Sequence, residues 1–171
     1  MEPRALQPDE QVLDVACGAG LVALMAAQAV IRAGRQVVGI DLSGRMVDAA
    51  GRRAHERRVL DARFSRMDAG RLDLPDASFD VALCALGLMY KPDPAQALRE
   101  MQRVLRSGGR LVAAVWGDRT RCGWSAPFPI IDDEVTSEVC PLFFRLGQRD
   151  TGGAGKPLQT QERFRNAGRA S

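Results

Sequence analysis

Residues 11–20, Gln-Val-Leu-Asp-Val-Ala-Cys-Gly-Ala-Gly, constrain this chain more than any other stretch. Val12, Leu13 and Val15 have the continuous apolar character of a buried strand. The strand breaks into Gly18-Ala19-Gly20 and runs into an apolar-periodic segment, predicted to be a helix over about 19–33. Glycine permits the tight turn and lets a ligand approach where a Cβ would stand in the way. The helix behind it offers unpaired N–H groups. Asp14 is the odd residue, because a carboxylate at the tip of a buried strand is costly unless a cation or donor meets it.

The same alternation of buried strand and amphipathic helix continues. A second strand is Gln36–Asp41, followed by a helix at about 44–57 with Ser43 as its cap and Met46, Val47, Ala50 and Ala54 inward. A weaker strand at about 61–67 is interrupted by Arg and Ser, as suits an edge. The fourth strand is Phe79–Leu86. The third helix is signed by Asp93 as cap, Pro94 at the first position and Gln96 at capping-box spacing, with Ala97, Leu98, Met101, Val104 and Leu105 as its stripe and Gly108-Gly109 as its end. Leu111–Trp116 is the fifth strand. The order predicts an α/β, doubly wound, mainly parallel sheet with five recognisable strands. Ligands then belong beyond the carboxyl ends of the strands. The first helix is expected to bury Leu21, Leu24, Met25 and Ile31.

At 171 residues, 46% apolar and 26% charged, one domain with a sizeable core is expected. No apolar run approaches the ~18 residues of a membrane span, and no signal pattern opens the chain, so a cytoplasmic location is expected. A net charge of +3 argues against nucleic acid as partner. The cluster Arg52, Arg53, Arg57, Arg58 reads as a solvated face, and the lone His55 as a surface residue. Cys17, Cys84, Cys122 and Cys140 contain no C-x-x-C pair, which points to free thiols and no metal site. Cys17 is read as packing rather than reactive.

The polar residues of interest fall at strand ends, and this architecture gathers those into one crevice. Asp41 can accept from both hydroxyls of a ribose, with Leu42 and Met46 as apolar cover for an adenine. Asp68 can accept from an adenine amino group while the Ala69 N–H donates to a ring nitrogen. Asp14 can hold a cation near the glycine turn. S-adenosyl-L-methionine carries an adenine, a ribose and an ammonium. The competing reading is a dinucleotide: Gly18-Ala19-Gly20-Leu21-Val22-Ala23 formally matches G-x-G-x-x-G/A with Asp41 at the right offset. Asp14 would repel its pyrophosphate.

These residues resemble the class I S-adenosylmethionine-dependent methyltransferases, of the ubiquinone/menaquinone-biosynthesis-like, type 11 group. Val12–Gly20 looks like the first motif, Val38–Met46 the segment after it, and Asp68-Ala69, Leu74-Pro75, Ser78-Phe79-Asp80 and Ala97–Leu111 the later blocks. The resemblance covers about residues 11–117. It implies that Asp14, Ala16, Gly18 and Gly20 frame the methionine moiety. Asp41 and Leu42 would take the ribose and adenine edge, Met46 would pack on the adenine, and Asp68 with Ala69 would recognise it. Cys84 and Leu86 would lie beside the cofactor. Ala16 stands where the family's fullest motif has glycine.

The expected activity is in-line methyl transfer to a small-molecule acceptor, with no catalytic residue identified. Tyr90 is read as packing and Asp93 as a helix cap. A cofactor-binding remnant or scaffolding subunit is the alternative, and a nicotinamide-dependent oxidoreductase a distant one. The domain is expected over 1–147, with a helix interrupted at Pro141 within 128–147 and a disordered tail over 148–171. The antiparallel strand pair that ends the family's sheet is expected to be missing, so the chain reads as truncated at its C-terminus. The bare edge of the fifth strand would then favour pairing with a second copy.

Overall fold

In the computed structural model the described residues are 5–30, 36–116 and, for backbone only, 161–163. Strand β1 (Val12–Val15) leads into helix α1 (Leu21–Ala29), β2 (Val37–Asp41), α2 (Gly44–Glu56), β3 (Ala62–Arg66) and β4 (Phe79–Ala85). A 3-10 turn (Leu88–Tyr90) then opens α3 (Pro94–Val104), which is followed by β5 (Leu105–Ala114) and β6 (Gln161–Arg163). The sheet order is β3-β2-β1-β4-β5-β6. The first five strands are mutually parallel. The chain winds outward from β1 through β2 to β3, then returns to place β4 on the other side of β1. The switch point, where this architecture opens its ligand crevice, therefore lies between β1 and β4.

Burial explains the apolar runs. All of β1 is buried, and its alternation serves two layers. Val12 packs with Val37, Val81 and the Ala23, Ala26, Ala27 and Val30 side of α1. Leu13 and Val15 pack on the other face with Ile40, Ala82, Cys84 and the Ala97, Met101 and Val104 stripe of α3. Asp14 follows Val12 onto the α1 face.

Several helix details differ from the sequence expectation. Helix α1 lies on the sheet through its alanines and Leu24, which leaves Leu21 and Met25 about three-fifths exposed. Small residues allow closer approach than Leu and Met would, so the bulkier apolar side of the helix turns outward. Met46 and Leu98 are likewise exposed, whereas Ala50, Ala54, Ala97, Met101 and Val104 are buried as expected. Ser43 occupies the cap position of α2, but its carbonyl rather than its hydroxyl takes the helical N–H groups of Met46 and Val47. Asp93 does cap α3, accepting from the Gln96 N–H at 2.9 Å with Pro94 in the first turn. Arg103 near the end of α3 holds the loop before β4, donating to the Leu72 and Leu74 carbonyls and pairing with Asp76 and Glu100.

Helix α3 ends at Val104, and Leu105 already pairs with Phe79, so β5 begins six residues earlier than the apolar run indicates. The register slips between Phe79 and Val81, where Gly108 turns at φ +80. β3 pairs only with β2 and is the edge strand that its broken pattern predicts. β6 is a correction: a three-residue strand runs antiparallel along Arg110–Val112 of β5. It lies inside the segment expected to be a disordered tail, and it covers part of an edge expected to be bare. Ile31, Cys122, Cys140, the expected helix at 128–147 and the rest of the expected tail lie outside the described residues.

Candidate functional site

The glycine turn is built from left-handed backbone. Ala16, Gly18 and Gly20 have φ of +57, +54 and +82. At Gly18 no described atom lies within 4 Å of where a Cβ would stand, so a side chain there would project into open space above the turn. At Gly20 a Cβ would lie 2.9 Å from the Ala50 Cβ and 3.1 Å from the Phe64 ring. Gly18 thus serves access and Gly20 serves packing of α1 against α2 and β3. The same Phe64 ring covers Gly39 of β2, where a Cβ would meet it at 2.6 Å.

Asp41, at the carboxyl end of β2, is tied into this turn. Its Oδ2 accepts from the Gly18 N–H and its Oδ1 from the Ser43 N–H, both at 2.9 Å. Each carboxylate oxygen has a second lone pair, so the group can still accept hydroxyls from a ligand. Leu42 and Met46, which follow it, are about half exposed beside that strand end.

Asp14 is 1% exposed, and its Oδ2 has no hydrogen-bond partner among the described residues. Burial pushes its carboxyl up from 3.8 to about 7, against a lowering by the Ala23 backbone N–H, and the nearby Asp41 adds to the rise. A buried carboxyl with an orphaned oxygen under a glycine turn is a site for a cation or a donor. Cys17 beside it is buried, and its thiol is pushed up to about 12 by burial and by Asp14 and Asp41. That suits packing and not reactivity.

At the end of β3, Asp68 is exposed and turns the chain, with Oδ1 accepting from the Gly70 N–H at 2.9 Å. Ala69 is buried within the core layer under it. At the end of β4 the Cys84 side chain also belongs to that layer, with its thiol raised to about 11 chiefly by burial. Leu86 has φ +61, a conformation in which a branched side chain is strained, and its N–H is held by the Ala114 carbonyl at 2.8 Å. Tyr90, read from the sequence as a packing residue, is 58% exposed. His55 is on the surface as expected.

Asp14, Ala16, Gly18, Gly20, Asp41, Leu42, Met46, Asp68, Ala69, Cys84 and Leu86 therefore lie at one edge of the sheet, at or just beyond the carboxyl ends of β1, β2, β3 and β4. Lys91 was not among the sequence candidates. Its ammonium lies 3.8 Å from Asp68 Oδ1, and its side chain is only 14% exposed. The available signal was slight: one of only two lysines beside 22 arginines, placed just before the Pro92-Asp93 cap. Among the described residues, no cluster of His, Cys, Asp and Glu is placed to hold a metal ion, and no helix is long and apolar enough to cross a membrane.

Comparison with known proteins agrees with this geometry. A family model described as a methyltransferase domain matches residues 13–113. The chain is 40% identical over 107 residues to the 2-phytyl-1,4-naphtoquinone methyltransferase of Synechococcus elongatus, covering 62% of this chain and 46% of the relative. It is 43% identical over 102 residues to the demethylmenaquinone methyltransferase of Deinococcus radiodurans, covering 60% and 41%. Among solved structures, a SAM-dependent methyltransferase of Methanosarcina mazei matches with a TM-score of 0.61 and 28% identity, covering 74% of this chain and 64% of that one. The matched part is less than half the length of either curated relative. Family model, relatives and fold agree: the chain belongs to the type 11 methyltransferase-domain family of class I S-adenosylmethionine-dependent methyltransferases.

Proposed function

We propose that the protein transfers a methyl group from S-adenosyl-L-methionine to a small-molecule acceptor, with a quinol of the naphthoquinone type as the first candidate. The observation that carries the reading is the meeting of Asp14, Asp41 and Asp68 at the ends of three adjacent parallel strands, around a left-handed glycine turn. The orphaned Asp14 Oδ2 and the open space above Gly18 fit the cofactor's ammonium end, and the exposed Leu42 and Met46 fit its adenine. The quinol candidate rests on the names of the two relatives above.

When bound, the cofactor supplies a methyl group activated by an adjacent sulfonium, which departs readily on attack by a nucleophilic atom. The protein's task is then placement of two reactants in line, an effect that can account for much of a rate enhancement without a strong base. In this reading Asp14 takes the ammonium, and ionises as it does so, since a cation beside a carboxyl favours the charged form. Asp41 takes the ribose hydroxyls and keeps the Gly18 N–H fixed. Asp68 and Ala69 read the adenine, Leu42 and Met46 flank it, and Leu86 shapes the wall towards the acceptor. No side chain is assigned as general base.

The test is transfer of labelled methyl from S-adenosyl-L-methionine to reduced demethylmenaquinone and to a panel of small phenols. Labelled product that requires Asp41 is expected. Tight binding of S-adenosylhomocysteine with no transfer to any acceptor would leave the alternative of a non-catalytic cofactor-binding protein. Selective binding of a nicotinamide dinucleotide would replace the reading.

A further inference from the structure

Lys91 is an unusual lysine. It is the only one among the described residues of a chain whose other described basic side chains, His55 apart, are arginines. Lysine side chains are seldom this enclosed unless an anion meets the ammonium. The only described anion in ion-pair range is Asp68, at 3.8 Å from the ammonium. Asp68 itself is 61% exposed, so its carboxylate is not walled in by packing and needs something else to fix its direction. Two groups act on Oδ1: the Gly70 N–H at 2.9 Å and Lys91 from the opposite strand end. Oδ2 takes no hydrogen bond from a described residue.

The supports of Lys91 are themselves rigid. Its N–H closes the 3-10 turn by bonding the Leu88 carbonyl at 3.1 Å, and Leu88 and Met89 are buried. Pro92 and the Asp93 cap fix the chain that follows. From the first turn of α3, Gln96 Nε2 donates to the Gly70 carbonyl at 3.2 Å, so the turn carrying Asp68 is gripped at both its side chain and its backbone.

We propose that Lys91 is a positioning residue for base selection: by holding Asp68 Oδ1 together with the Gly70 N–H, it presents Oδ2 to the exocyclic amino group of the adenine. The inference rests on the reading of Asp68 as the adenine-recognising carboxylate. A carboxylate fixed in this way accepts from a 6-amino group and meets the lone pairs of a 6-oxo group with repulsion. Lys91 therefore contributes to telling adenine from hypoxanthine without touching the base.

The experiment is calorimetric titration of the full chain with S-adenosylhomocysteine and with its deaminated analogue S-inosylhomocysteine, for the wild type, Lys91→Met and Lys91→Arg. Lys91→Met keeps the length of the stem and removes the charge. It is expected to weaken the adenosyl ligand by about five- to tenfold, the scale of one ordinary hydrogen bond, and to change the inosyl ligand less than about twofold. Lys91→Arg should restore most of the preference, which a merely structural loss would not do. Equal weakening of both ligands by Lys91→Met, an unchanged preference, or tighter adenosyl binding overturns the proposal while leaving the pocket intact. A wild type that binds neither ligand, or does not distinguish them, overturns the reading of Asp68 itself.

Discussion

The methyl group of Ala16 occupies the space that a side chain at position 87 would need: a Cβ placed on Gly87 would lie 2.5 Å from the Ala16 Cβ and 2.9 Å from Cys84 Sγ. Ala16 stands where the resemblance implies a glycine, and its Cβ is accommodated because position 87 carries no side chain. The two face each other across the switch point between the ends of β1 and β4. Their fit predicts coupling. Gly87→Ala should cost about 1–3 kcal/mol by overpacking. In an Ala16→Gly background the same change should cost less, with a coupling of about 1 kcal/mol or more in a double-mutant cycle. Urea unfolding of the four proteins measures this, and additive costs would contradict it.

Asp14 gives the apo protein a pH dependence with a defined sign. Its carboxyl titrates near 7 when folded and near the ordinary 3.8 when unfolded. Between those values the folded state holds the proton that the unfolded state has lost. The contribution to stability is therefore full below about pH 4, falls as pH rises and is gone above about 7. Asp14→Asn should remove this slope, so that the variant gains on the wild type by roughly 3 kcal/mol between pH 4.5 and pH 7.5. Parallel slopes for the two proteins would show that Asp14 ionises normally.

The same carboxyl links pH to binding. An ammonium beside Asp14 needs it ionised, so binding below about pH 7 must expel a proton. Affinity for S-adenosylhomocysteine should rise about tenfold between pH 5.5 and pH 6.5 and level off above 7.5. In Asp14→Asn the affinity should be weak and flat over the range. Titrations in buffers of different ionisation enthalpy report the released proton directly.

Arg110 and Glu10 form a buried, doubly bonded pair far from the crevice, with Arg110 level with Val81 and Val12 at the other end of the strands. Removing one partner leaves the other charged and enclosed. Glu10→Ala should destabilise by about 3–5 kcal/mol, and replacing both by apolar residues of similar size should cost far less. Cofactor affinity of the folded fraction should stay within about twofold, the span of a negligible free-energy change. A large loss of affinity would mean that the two ends of the sheet are coupled.

The legibility of the fold follows from how each segment is buried. β1, β2 and β4 are covered on both faces, so their apolar runs are nearly unbroken, and β3 has one neighbour and a broken pattern. Periodicity located α1 and its buried Leu24 but also put Leu21 and Met25 inward, because Ala23, Ala26 and Ala27 carry little apolar weight in sequence while controlling how near the helix lies to the sheet. The start of β5 was hidden because Leu105 continues the spacing of α3 although it pairs with Phe79. In the candidate site, the glycines and acidic residues stand out in the sequence because few other residue types suit those positions. Lys91 was not, since its role depends on an ion pair across 23 positions that no local pattern carries.

Asp41 bears most directly on the whole account, because it joins the glycine turn to the proposed ribose site. Asp41→Ala should weaken S-adenosylhomocysteine by roughly 1–3 kcal/mol for lost hydroxyl contacts and also lower stability, since the Gly18 and Ser43 N–H groups lose their acceptor. The deciding measurement is calorimetric titration of the wild-type and Asp41→Ala proteins with S-adenosylhomocysteine at pH 7.5, each confirmed folded by circular dichroism. Saturable binding of one ligand per chain, weakened at least about fivefold in the variant, is the predicted result. No heat of binding in folded wild type, or equal affinity in the two proteins, would contradict the account.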